Sequence, residues 1–110
     1  MAVLANFVFL DTSSTGTTSS TFYVPYGADS VTVQATGTGT LNVTIKGKAD
    51  TENGNFIALA SINQTDYSVA ETITAEGIYS VAVSGIREMQ VVNGGSAGSV
   101  TVFGAAVGEG

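Results

Sequence analysis

The stretch that most restricts the fold runs from Glu76 to Phe103, where three short apolar runs follow one another with turn residues between them. Gly77 precedes the first, Ser84-Gly85 follows it, and Asn93-Gly94-Gly95 precedes the third. Such residues supply positive φ or local side-chain hydrogen bonds where a strand must end and the chain reverse. The one helix-like fragment, Ile86 to Val92, is too short for a helix and is read as strand. The stretch contains no apparatus for catalysis.

Upstream, the same grammar repeats. Val3 to Leu10 forms a first strand, apolar on both sides and so expected to be covered on both. Asp11 to Thr21 is nearly all Thr, Ser and Gly and reads as a loosely ordered connector. If that connector is mobile, residues 1–10 could exchange onto a neighbouring subunit. Phe22-Tyr23-Val24 is stopped by Pro25, the only proline. Val31, Val33 and Ala35 alternate with Ser30, Thr32, Gln34 and Thr36, and Leu41, Val43 and Ile45 alternate with Asn42, Thr44 and Lys46. This period of 2 marks half-buried strands, and the Gly-Thr-Gly turn between them predicts a hairpin. Asn53-Gly54 makes another turn, Phe56 to Ile62 reads as one apolar strand between two layers, and Tyr67 to Thr74 as a further strand with weak alternation. The end, Gly108-Glu109-Gly110, is expected to fray.

About eight or nine strands at this spacing, with no helical window, predict an all-β chain. The expected architecture is a single antiparallel β-sandwich, jelly-roll-like or Ig-like. Its 110 residues suffice for one core and not two. Residues 1–21 are read as strand, or arm, and connector, and residues 22–110 as the sandwich domain.

Composition narrows the function classes. Charged residues make up only 11% and the net charge is −6, with Lys46, Lys48 and Arg87 the only cations. That field repels phosphate backbones, so nucleic acid is not an expected partner. The apolar N-terminus lacks a basic n-region, is interrupted by Asn6 and is too short to span a bilayer, so neither a signal peptide nor a membrane partner is expected. Synthesis in a cytoplasm is expected. With no Cys and no His, thiolate chemistry, cysteine-ligated zinc and the commonest general base are absent.

Carboxylate pairs could do acid–base work, but Asp50/Glu52 and Glu71/Glu76 fall in or beside turns and read as solvated. Asp50 to Asn55 resembles a calcium loop only superficially: Gly54 falls where a ligand belongs and Ser61 stands where the bidentate Glu should be. Gly37-Thr-Gly39 precedes a strand, not the helix N-terminus a phosphate cradle uses. The sequons at Asn42 and Asn63 matter only in a eukaryotic secretory pathway. Tyr23, Tyr26, Tyr67 and Tyr79 could form a sugar-stacking platform, which keeps a glycan-binding module as the alternative function. No catalytic residue, cofactor or metal is predicted, and the chain is expected not to be an enzyme.

The run Ser30 to Gly47, followed by Asn53 to Leu59, resembles the first half of a small β-sandwich family of tailed-bacteriophage virion proteins. Glu76 to Arg87 is similar to that family's Gly-aromatic strand and following Ser-Gly turn, and Gly98 to Val102 to its closing strand. The chain departs from the family at Phe56, where Trp is frequent, and around Met89 to Val91, where an Arg-containing strand is usual. The resemblance implies a virion structural protein, most simply a head decoration or cement protein that binds the major capsid protein outside the lattice. It also implies self-association, with a trimer the simplest form. No functional residue carries over from it. The candidate contact surface, to subunit or capsid, is the first strand with Val3, Phe7, Phe9 and Leu10, whose alternative is an ordinary sandwich strand.

Overall fold

The structure, a computed structural model, describes residues 2–14, 16–94 and 99–108. Twelve strands carry the described chain: β1 (Ala2–Ser13), β2 (Thr17–Thr18), β3 (Phe22–Tyr23), β4 (Ala28–Gly37), β5 (Val43–Lys48), β6 (Ile57–Ala58), β7 (Ser61–Asn63), β8 (Val69–Ala70), β9 (Thr72–Ile73), β10 (Gly77–Ala82), β11 (Glu88–Asn93) and β12 (Val100–Gly108). They form two antiparallel sheets, and the all-β sandwich expected from the sequence is what is found. The first sheet has the order β1-β12-β4-β10-β7-β8. The second is built on β11 and β5, with β2 and β3 as a broken edge on β11 and β6 and β9 as a broken edge on β5.

Of the two expected architectures the connectivity selects the jelly roll. β1 pairs β12, β2 and β3 pair β11, β4 pairs β10, and β5 pairs β6 and β9. The chain is thus one long antiparallel ribbon, doubled back near Asn55 and Phe56. The ribbon is rolled so that β4 also meets β12 and β5 also meets β11. Successive major strands therefore alternate between sheets, the arrangement of a double-sheet jelly roll. Counting broken edges as single strands leaves eight principal strands plus the β7–β8 hairpin, which accounts for twelve segments against the eight or nine expected.

This rolling corrects several local expectations. Ser30–Thr36 and Leu41–Lys46 do not form a hairpin: β4 and β5 lie in opposite sheets, and residues 38–42 arch between them. Phe56 to Ile62 is not one strand, because β6 belongs to the second sheet and β7 to the first, and Ile57 and Ile62 are exposed. Tyr67 to Thr74 likewise divides into β8 and β9, one in each sheet. β10, β11 and β12 do follow one another, but each connection crosses between sheets. At the first crossing Gly85 adopts a φ of 85° and Ile86 donates its N–H to Val83 O at 2.9 Å. The second crossing, the Gly94-Gly95 turn, lies partly outside the described residues, as do Gly98 and the final Glu109-Gly110.

The core lies between the sheets and is made of the alternating residues the sequence marked. Val31, Val33 and Ala35 of β4 meet Val43 and Ile45 of β5, Val81 of β10, Met89 and Val91 of β11, and Val100 and Val102 of β12, all essentially inaccessible. Phe7, Phe9 and Phe22 cluster at 5.0–5.6 Å between ring centroids, Phe9 edge-on to the other two, and close the side between β1 and β3. The connector is shorter than its composition suggests. Asp11 to Ser13 belong to β1, and the buried Asn93 amide donates to Ser14 O at 3.0 Å and Ser13 Oγ at 3.3 Å.

Candidate functional site

Because side chains alternate across a strand, each sheet presents one outer face, and cross-strand registers state which residues share it. On the first sheet one row runs Val8, Phe103, Gln34, Ile78 from β1 to β10. The next runs Asn6, Ala105, Thr32, Ser80, Ile62, Val69 from β1 to β8. A third holds Val3, Val107, Ser30 and Ala82, and Thr101 stands beside Thr36 at the far end. No residue of these rows is charged. Val3, Val8, Ile62, Val69, Ile78 and Phe103 stand exposed on the face. Asn6, Thr32, Gln34, Ile78, Phe103 and Ala105 line a shallow depression of about 230 Å³ near its middle.

Charge is confined to the rim of this face. Asp11 lies at a register shift of β1 opposite Thr101, and Asp29 at the shift where β12 leaves β4. Glu76 precedes β10, and its Oε2 accepts the Gly37 N–H at 2.9 Å, tying the arch after β4 to the start of β10. The cations are elsewhere. Lys46 and Lys48 lie on the outer face of the second sheet, and Arg87 directly precedes β11. Lys48 Nζ lies 4.0 Å from Glu88 Oε1 and 5.2 Å from the Phe56 ring centroid.

The residues expected at the contact divide by strand alternation. Val3 faces outward and is exposed, while Phe7 turns inward, half-buried, onto Phe9 and Phe22. Phe9 and Leu10 are buried in the chain's own core, at 5% and 3% exposure, and present nothing to a partner. Val8, between them in sequence, is 58% exposed on the outer face. Sequence reasoning missed Val8, Gln34, Ile78 and Phe103 as one surface. The available signal was that the outward positions of the strands at 3–8, 30–36 and 78–82 are all uncharged.

The other candidates do not converge. Tyr23 and Tyr26 lie where β3 passes to β4, beside Arg87, whose carbonyl accepts the Val24 N–H. Tyr67 sits at the opposite end, in a turn placed by the Gln64 N–H bond to Ile78 O. Tyr79 points inward and donates its hydroxyl to Ala75 O at 2.7 Å; burial, with the Asp66 charge adding to it, holds the phenol above its ordinary pKa. The four tyrosines therefore form no common platform. Asp50 accepts the Glu52 N–H at 2.8 Å, which holds its carboxyl below the usual range with the Asn53 side chain assisting. The Ser68 N–H does the same for Asp66. Both are turn-forming carboxylates in solvent. Among the described residues no group of three or more Asp or Glu is placed to hold a metal.

No protein-family model and no curated protein matches the chain. Solved structures do. The SPBc2 prophage-derived protein YomS superposes with a TM-score of 0.81 at 20% identity, covering 93% of this chain and 90% of that one. The PBSX exported protein XepA superposes with a TM-score of 0.78 at 19% identity, covering 93% of this chain but only 37% of that one. At such identities the likeness is one of fold: this chain has the jelly roll of two phage-derived proteins.

Proposed function

We propose that this chain is a non-enzymatic structural protein of a phage particle, acting through the surfaces its sandwich presents. The observation that carries this reading is the superposition on a prophage-derived chain over about nine-tenths of both lengths. The residues add support, since the carboxylates at Asp50, Asp66 and Glu76 are engaged in holding backbone N–H groups. The finer assignment is head decoration: a cement protein on the outside of the capsid, with the major capsid protein as partner and no nucleic acid contacted. An acidic, compact sandwich suits binding across seams between subunits, where a standard interface of about 1,600 Å² gives stable docking.

A second reading is favoured by one observation, that XepA is described as an exported protein. Under that reading the chain leaves the cell free of particles. Fractionating a lysate on a density gradient and probing for the chain separates the two. Decoration requires the protein on purified heads at a copy number near that of a capsid lattice position. Recovery only in particle-free supernatant, or only with tails, overturns it.

A further inference from the structure

We infer that the uncharged outer face of the β1-β12-β4-β10-β7-β8 sheet is the surface by which one copy of this chain meets another. The place of the resulting assembly rests on the proposed virion role, but the contact does not.

Charge is the first argument. Each copy carries −6, so two copies repel wherever their carboxylates face one another. A partner selected for an acidic protein would use those carboxylates and offer them basic groups. The rows of this face offer a basic partner no carboxylate: they hold Val, Ile, Phe, Ala, Ser, Thr, Asn and Gln, and the acidic groups Asp11, Asp29 and Glu76 stand only at the rim. A like-charged copy is the occupant for which an uncharged centre is an advantage.

Size is the second. The molecule measures 36 × 31 × 21 Å, and the shortest extent matches two sheets packed about 10 Å apart with their outer side chains. The broad face is therefore about 36 by 31 Å, enough for the roughly 800 Å² per partner that a stable interface buries. Phe103 and Ile78 flank the central depression, which gives a facing copy's side chain a place to seat.

The edge of the same sheet is the competing route, because β1 has no neighbour on its outer side among the described residues. Its ladder with β12, however, is shifted in register between Val3 and Ala5, Val8 and Leu10, and Leu10 and Ser13. Bulges of this kind break up the regular row of N–H and C=O groups that a second strand would need. The broad face has no such interruption between β12 and β10 from Val107 to Val100.

The test is the mass of the full-length protein in solution, by sedimentation equilibrium across a concentration series and at low and high salt. The wild type is expected to associate, and more strongly at high salt, because screening removes repulsion between two −6 molecules. Phe103→Glu and the near-isosteric Gln34→Glu each place like charges across the contact and are expected to weaken association about tenfold or more. Thr18→Glu, on the outer face of the second sheet, is expected to leave it unchanged. Circular dichroism of Gln34→Glu verifies that the fold is intact. A monomeric wild type overturns the inference, as does an oligomer unaffected by Gln34→Glu and Phe103→Glu or one that dissociates as salt is raised. None of these results depends on where the protein sits in a particle, so failure here and failure of the virion reading are separate outcomes.

Discussion

The two outer faces of the sandwich come from the same alternation but carry different side chains. On the second sheet the outward rows carry Glu88 beside Lys48, Gln90 beside Lys46, and Val92 between Thr18 and Thr44. There the outward side chains engage their own molecule: Lys48 reaches Glu88 and covers the Phe56 ring, and Gln90 donates to Thr21 Oγ1 at 3.2 Å. On the first sheet the outward rows mix apolar side chains with uncharged Ser, Thr, Asn and Gln and make no ion pair. A face whose polar groups are occupied locally has little to offer a partner, whereas one with exposed Val, Ile and Phe retains apolar area that burial would stabilise at about 25 cal/mol per Å².

The sharpest way to break this comparison uses two neighbours on β1. Phe9→Ala removes a ring from the three-phenylalanine cluster and is expected to cost about 3 kcal/mol or more in urea unfolding. Val8→Ala, one residue earlier but on the outer face, should change the monomer's stability by under about 0.5 kcal/mol. Equal effects would mean that the face is not free. On the second sheet, Lys48→Ala leaves the buried Glu88 carboxylate without its cation and is expected to cost about 2 kcal/mol. No single polar-to-Ala change on the first sheet's outer rows should approach that.

Glycines on the inner side give a finer test. A Cβ at Gly104 would stand 2.8 Å from the Thr32 carbonyl oxygen, which is fixed in the sheet. At Gly47 it would instead meet the ends of Leu59 and Ile86, at 2.8 and 2.9 Å. Gly104→Ala should therefore cost about 2 kcal/mol and Gly47→Ala visibly less, since side-chain ends can shift.

A smaller effect than at Gly104 is expected at Tyr79. Its phenol pKa is raised in the folded state, so folding favours the neutral form; that stability is fully present below the unfolded pKa of about 10 and is lost as pH rises through the folded value. Tyr79→Phe should cost about 1 kcal/mol at neutral pH through the lost bond to Ala75 O, and should lessen the alkaline fall in melting temperature.

Much of the core was legible in the sequence. The alternation over 30–36 and 41–46 named Val31, Val33, Ala35, Leu41, Val43 and Ile45 as inward, and all six are buried. What misled was pairing. A Gly-Thr-Gly turn serves a hairpin and an arch between sheets equally well, so the turn at residues 37–39 could not reveal that β4 and β5 part company. The apolar run at Phe56–Ile62 misled for a related reason: apolar letters suggest a buried strand, yet a chain passing between sheets at their edges leaves Ile57 and Ile62 in solvent.

By itself, then, the sequence determined the class of fold, the inward residues, the absence of His and Cys and the acidic balance, because alternation and composition are local properties. Only the tertiary structure decided that β1 lies against β12, that β4 lies between β12 and β10, and hence that Val8, Phe103, Gln34 and Ile78 form one uncharged row. The physical reason is that the ribbon pairs strands from opposite ends of the chain. The character of a face depends on those distant neighbours, whereas the direction each side chain points is fixed within its own strand.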